Sequence, residues 1–197
     1  MSYALRDERR YRYGDYRRWP DDARYELIDG VAYLMAPAPT TDHQTLLLEL
    51  ALQVRSALEG APCRVLIAPV DVLLPRGTES DDEVDTVLQP DMLVVCDPAK
   101  VTLRGVRCAP DWAVEVLSPS SASHDQTIKL AAYERAGVRE YWLIHPTDRV
   151  LTVYRLGAAG YGKPVIQELS GESAVGVLSG MTVHWEPIVS RLLPAGR

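Results

Sequence analysis

Short apolar runs and longer amphipathic ones alternate along this chain, and the spacing within each predicts an element. Tyr25 to Ile28, Val31 to Met35, Arg64 to Ala68, Val70 to Leu74, Gln89 to Cys96, Asp111 to Leu117, Glu140 to His145 and Arg149 to Arg155 are short, rich in β-branched and aromatic residues, and read as strands. Asp29-Gly30 between the first two favours a tight hairpin. Pro37 and Pro39 break the strand that follows it, and Pro69 bends the next pair. Val165 to Trp185 reads as short strands turned at Gly171, Gly176 and Gly180.

Two stretches have helical spacing. From about Asp42 to Leu58, capped by Thr40 or Thr41 and closed by Gly60, Leu46, Leu47, Leu50, Val54, Ala57 and Leu58 make one apolar face. From Ser121 to Gly137, Ile128, Ala132, Tyr133 and Ala136 form an apolar arc at about 100° per residue. Asp125 and Lys129 fall inside that arc, Thr127 and Glu134 lie opposite, and Leu130 sits on the wrong side for this reading. A shorter helix over Tyr13 to Trp19 ends before Pro20.

The strand, helix, strand order from Ala113 to Ile144 implies a right-handed crossover between parallel strands. The expected fold class is α/β, a mixed β-sheet flanked by α-helices. One domain over 1–197 is expected, with residues 1–20 as an N-terminal arm and short helix and 157–197 as a C-terminal β extension. Lys100 to Gly105 reads as a loop and Gly157 to Gly162 as a flexible connection.

A length of 197 residues can bury a substantial core, and 47% hydrophobic with 24% charged residues is ordinary for a globular protein. No apolar run is long enough for a membrane span, and the arginine-rich start has no apolar signal core. Cys63, Cys96 and Cys108 are odd in number and form no C-x-x-C pair, which argues against a disulfide framework or a cysteine zinc site and predicts a cytoplasmic location. The net charge of −6 disfavours non-specific adhesion to nucleic acid. Its distribution is uneven: Arg6, Arg9, Arg10, Arg12, Arg17 and Arg18 crowd the start, and acids crowd Glu79 to Asp85. The arginines read first as a solvated arm, with Arg9, Arg10 and Arg12 as weak nucleic-acid-contacting candidates, and the acidic run as an exposed, mobile loop.

The chemistry-bearing residues lie between Pro90 and Tyr141. Asp91 and Glu115 each place an acid among strand-forming residues, where an unpartnered carboxylate is costly to bury. A divalent cation held by both would remove that cost. Lys129, facing inward beside Asp125 one turn earlier, is either half of a buried structural pair or part of a site. Glu26 alternates with Tyr25 and Leu27 and by itself reads as a solvent-facing strand residue. Asp71 reads as structural or as a support behind a site, and His43, in the first turn of its helix, as a cap-region or surface residue. His124, His145 and His184 have no metal-ligand spacing. Phosphate-binding loops, dinucleotide fingerprints, H-E-x-x-H and the nucleophile elbow are absent.

The segments YELIDGVAYLMAP, QPDMLVVCDPAK, APDWAVEVLSPSS and HDQTIKLAAYERAGVREYWLIHP, in that order from about Tyr25 to Arg155, resemble the Uma-type putative restriction endonucleases of the PD-(D/E)XK nuclease superfamily. The fold this implies is a restriction-endonuclease-like mixed β-sheet flanked by α-helices. The resemblance implies that Asp91 and Glu115 bind Mg²⁺ or Mn²⁺. It also implies that Lys129 stands in for the superfamily's lysine, whose usual place is held here by Leu117. Glu26 matches an additional acid, and His43 a histidine often found at that position. Asp125 would hold Lys129, and Tyr133 would shape the rim. The implied activity is metal-dependent hydrolysis of nucleic-acid phosphodiesters, DNA foremost, by a homodimer that can cut both strands. Two other classes stay open: a catalytically inactive nuclease-fold module binding nucleic acid or protein, and a hydrolase of another phosphate ester.

Overall fold

The computed structural model describes residues 3–4, 9–20, 23–35, 38–119 and 121–194, so Arg6 and Pro37 lie outside it. The expected mixed sheet is there, but it is one of two seven-stranded sheets among the described residues. Its central strand, Trp112–Val116, runs parallel to Glu140–His145 and antiparallel to Met92–Val95. Arg64–Ile67 continues the sheet on one side and Val150–Gly157 on the other. The helical segment 122–136 joins the two parallel strands, as the apolar spacing implied.

The second sheet holds the Tyr25–Ile28 and Val31–Leu34 hairpin, whose turn puts Asp29 and Gly30 at φ 53° and 76°. Val87–Leu88, Asp71–Leu73, Gly105–Arg107 and Val101–Thr102 extend it. The strand expected over Gln89 to Cys96 is shortened to Met92–Val95. Val87–Leu88 belongs to one sheet and Met92–Val95 to the other, and the chain passes between them through Gln89, Pro90 and Asp91. Proline lacks the N–H that an unbroken central ladder would need, which explains the break there. A second passage runs from Arg64–Ile67 to Asp71–Leu73 through Ala68 and Pro69.

Two apolar layers cover the main sheet. On one face Leu46, Leu50 and Val54 of the Thr41–Ala57 helix meet Trp112, Val114 and Trp142, joined by Val183, Trp185 and Ile188 from the C-terminal part. On the other, Leu93, Ala113, Leu143 and Tyr141 meet Ala132 and Tyr133 of the crossover helix and Val72, Leu88 and Val106 of the second sheet. Thr40 caps the first helix, its hydroxyl accepting from His43 N–H at 3.2 Å.

The crossover helix differs from a regular one. Ala122–His124 and Leu130–Ala136 are α-helical, but Asp125–Lys129 is a π turn. The wider turn rotates the residues after it, so Leu130 packs against the core instead of pointing to the polar side. Such turns are frequent at functional sites. Gly137 ends the helix at φ 87°, a conformation that costs a residue without Cβ little. Its N–H bonds Glu134 O at 3.1 Å, and Val138 N–H bonds Tyr133 O at 3.0 Å.

Several expectations are corrected. Lys100 to Gly105 is no loop: Pro98–Lys100 forms a 3₁₀ turn, and Val101–Thr102 pairs with Gly105–Arg107 as a small hairpin. Gly160–Tyr161 pairs back on Val150–Gly157, where a flexible connection was expected. The chain from Arg9 on is not a free arm, since Tyr13 is buried and its N–H bonds Val84 O at 2.8 Å. Nor is the acidic run a loose loop. Asp81–Glu83 is a 3₁₀ turn with a Ser80–Glu83 capping box, and its acids pair with Arg17 (2.5 Å) and Arg107 (2.7 Å). Arg17 thus ties the arginine-rich start to the acidic run. Cys63 and Cys96 form a disulfide. They flank the Arg64↔Val95 pair of neighbouring antiparallel strands, a proximity that residue spacing cannot reveal. The odd cysteine is Cys108, and the cysteine argument for a reducing compartment lapses. No helix of the described residues is long and apolar enough to cross a membrane.

Candidate active site

The passage between the sheets sets Asp91 at the mouth of a cleft of about 390 Å³, which Glu26, Glu115, Asp125 and Lys129 also line. Each acid reaches it from a different place. Glu26 comes from the hairpin of the second sheet, Glu115 from the central strand and Asp125 from the π turn. Asp91 Oδ2 accepts Val116 N–H at 2.8 Å, which fixes its carboxylate beside the Glu115 strand, and lies 3.1 Å from His43 Nε2.

Lys129 is the hub. Its Nζ lies 2.9 Å from Glu26 Oε1, 2.9 Å from Glu115 Oε1 and 3.4 Å from Asp125 Oδ1, and all four side chains are at most 5% exposed. Glu115 Oε1 also accepts from Tyr133 OH at 3.3 Å, and Glu26 Oε1 from Gln89 N–H at 2.8 Å. Three acids thus meet one ammonium and Asp91 adds a fourth to the same cleft, more negative charge than a structural ion pair needs.

The protonation equilibria follow from this crowding. Burial pushes the Glu115 carboxyl well above its ordinary range. Lys129 opposes the shift, while Asp125, Asp91 and Glu26 reinforce it. Asp125 is raised too, by burial first, against the pull of Lys129. For Glu26, burial is outweighed by Lys129, His124 and the Gln89 peptide, and its pKa is lowered. Burial alone would lower Lys129, but Glu115, Glu26 and Asp125 hold it well above the ordinary lysine value. The acids therefore differ in how readily they give up a proton, the pattern expected where carboxylates share a site.

The structure brings Asp91, Glu115, Lys129, Glu26, Asp125 and His43 together. Three placements differ from the sequence reading. Glu26 is 2% exposed, not solvent-facing, because both faces of its strand are covered. His43 is in the cap region, its N–H bound by Thr40, but its ring is buried and not at the surface, and its Nδ1 has no hydrogen-bond partner among the described residues. Tyr133 lies fully buried beneath Glu115 and not at the rim. Of the weak arginine candidates, Arg9 is paired with Asp15 at 3.3 Å, and none of Arg9, Arg10 and Arg12 lines the cleft. Asp71 accepts from Tyr16 OH and Gln89 Nε2, a structural role as expected.

Sequence reasoning missed two residues. Gln89 ties its peptide to Glu26, and buried His124 puts Nε2 3.5 Å from Glu26 Oε2, too long for a good hydrogen bond. The one signal for His124 was its place next to inward-facing Asp125.

A model of the Uma2 family, described as "Putative restriction endonuclease", matches residues 13–185. The chain is 24% identical over 143 residues to the uncharacterized protein slr1290 of Synechocystis sp., covering 71% of each. Its fold is similar to the crystal structure of a putative nuclease belonging to DUF820 from Anabaena variabilis. The TM-score is 0.72 at 20% identity, over 91% of this chain and 97% of that one. With the model spanning most of its length, this chain belongs to the Uma2 family of putative restriction endonucleases.

Proposed function

We propose that the protein is a divalent-metal-dependent endonuclease that hydrolyses nucleic-acid phosphodiester bonds, DNA foremost. The observation that carries this reading is the convergence of four acids and one ammonium, brought from both sheets and the crossover helix, on an open cleft. No cage of three or more His, Cys, Asp or Glu exists among the described residues. Mg²⁺ does not need one, since it is bound through one or two carboxylates with waters and substrate phosphate completing its shell. Asp91 and Glu115 suit that role: both offer hard oxygen donors to the cleft, and Asp91 Oδ1 and Glu115 Oε2 have no hydrogen-bond partner among the described residues.

Bound there, Mg²⁺ or Mn²⁺ would supply Lewis acidity toward a phosphoryl oxygen and acidify a water. Lys129 would place its ammonium against the charge that develops on the phosphorus oxygens. Glu26 and Asp125 would hold Lys129, and Tyr133 and His43 would orient Glu115 and Asp91. Cutting both strands of a duplex takes two sites or two visits, and a homodimer meets that need.

Purified protein offered duplex DNA, single-stranded DNA, RNA and nucleotides with Mn²⁺ or Mg²⁺, beside Asp91→Ala, tests the reading. Metal-dependent cleavage of an oligonucleotide, reduced at least about 100-fold in the variant, supports it. Hydrolysis of nucleotides alone would indicate a different phosphoesterase, and metal binding without cleavage a binding module. Light scattering of the pure protein should give a dimer mass.

A further inference from the structure

A second, larger cavity of about 700 Å³ adjoins the carboxylate cleft and shares Arg24 and Gln89 with it. Gln89 is bound into both. Its N–H donates to Glu26 Oε1, its side-chain carbonyl accepts from Arg24 Nε at 3.2 Å, and its Nε2 donates to Tyr16 OH at 2.9 Å.

The lining is unusual for an acidic protein. Several arginines are matched to acids, as in Arg107–Asp81, Arg135–Asp29 and Arg139–Asp111, and in this lining Arg17 is matched to Asp82. Around this cavity Arg24, Arg64 and Arg104 are exposed and form no ion pair among the described residues, and the acid in the lining, Asp71, is bonded to Tyr16 and Gln89 and feels the charge of Arg24. Tyr16, Trp19 and Tyr25 form an aromatic wall. The Trp19 and Tyr25 rings meet edge to face at 5.0 Å, and Tyr16 and Trp19 lie 5.6 Å apart. Guanidinium forks match phosphate oxygens, and aromatic faces accept bases of any sequence.

The rim adds an independent feature. The Val101–Thr102 and Gly105–Arg107 hairpin is held by parallel pairing of Gly105 with Asp71, and its tip carries Leu103 and Arg104. Leu103 is 107% exposed, as far into solvent as a side chain can stand. A lone exposed leucine is ordinary. On a fixed hairpin, next to an unpaired arginine at a cavity mouth, it has the form of the apolar wedges that unstack base steps.

We propose that this cavity receives an unpaired nucleobase of the nucleic-acid substrate. Its neighbouring phosphates meet Arg24, Arg64 and Arg104, and Leu103 wedges at the adjoining base step. The inference rests on the nuclease reading of the cleft and names its substrate class: strands with an unpaired or extruded nucleotide near the bond to be cut.

The test is binding in EDTA, which blocks metal-dependent cleavage, followed by fluorescence anisotropy. The probes are a labelled blunt DNA duplex and the same duplex with a one-nucleotide bulge. The wild type should bind the bulged duplex about tenfold more tightly, within the range of one base stacking on an aromatic side chain. Arg64→Ala/Arg104→Ala and Leu103→Ser should reduce that preference to about twofold or less. The arginine pair should also lower the salt slope by about 1.8, at about 0.9 per duplex phosphate. All three side chains are exposed, so thermal melts should not change. Equal affinity for both duplexes, or a preference that the variants leave intact, overturns the proposal. Mn²⁺-dependent cleavage with no bulge preference would discard the cavity and keep the nuclease. A bulge preference without cleavage of either duplex would do the reverse.

Discussion

Replacing Lys129 by methionine keeps the side chain's bulk and removes the one ammonium among the buried acids. Glu26, Glu115 and Asp125 would then stay charged without a counter-ion or take up protons. Removing one partner of a buried ion pair costs about 3–5 kcal/mol. For a domain of this size each kcal/mol moves Tm by about 2–4 °C, so a drop of about 6–20 °C is expected at pH 8. The sign of the pH dependence follows from Glu115. Its pKa is already raised, and the substitution removes the main opposing pull. An acid raised in the native state keeps a proton that the unfolded chain releases, so its contribution is largest below the ordinary 4.5 and falls as pH rises. The variant should therefore lose less stability at pH 5 than at pH 8. Mn²⁺ at about 100 times its Kd should restore about 2.7 kcal/mol, since the freed carboxylate oxygens become available to it. Urea unfolding at both pH values, with and without Mn²⁺, measures this. A variant as stable as wild type at pH 8, or equally weakened at both, refutes the picture of Lys129 as counter-ion to the cluster.

Glu26→Gln should flatten the acid limb of the stability curve. Glu26 has a lowered pKa, so its contribution is present above the ordinary 4.5 and is lost as pH falls below it; urea midpoints from pH 3 to 7 check this. His43→Ala leaves Asp91 Oδ2 with only the Val116 peptide, and Mn²⁺ affinity by calorimetry should fall about 10–100-fold, an unchanged affinity removing His43 from the site. Thiol titration of the unfolded, unreduced chain should find only Cys108 reactive, and three reactive thiols would exclude the Cys63–Cys96 bridge.

The elements that were legible have strong local signals. The Asp29-Gly30 turn, the Thr40 cap and the apolar face of the first helix appear where expected. Asp125 and Lys129 face inward as the arc required, although a π turn accomplishes it. Glu26 shows where alternation stops being informative. It does point away from Tyr25 and Leu27, but the other side of the strand is also interior, and only tertiary packing decides that. The hairpins at 101–107 and 157–161 escaped because their strands are two or three residues where they pair, too short to alternate. Gln89 contributes its peptide N–H to Glu26, and a backbone donor leaves no mark in residue type.

The double passage of the chain between the two sheets has a consequence for how this protein can fail. Gln89 binds Glu26 across 63 residues and His43 reaches Asp91 across 48, whereas Lys129 and Glu115 are 14 apart. Contacts of such long range form only after much of the chain has been ordered. The lysine and its strand acid could come together early, but the complete cluster would be the last thing assembled and the first lost. Heating or denaturant should thus extinguish a site-dependent signal no later than the global unfolding signal. A mutation in either sheet far from the cleft could silence the site by loosening the seam, with every named side chain still in place.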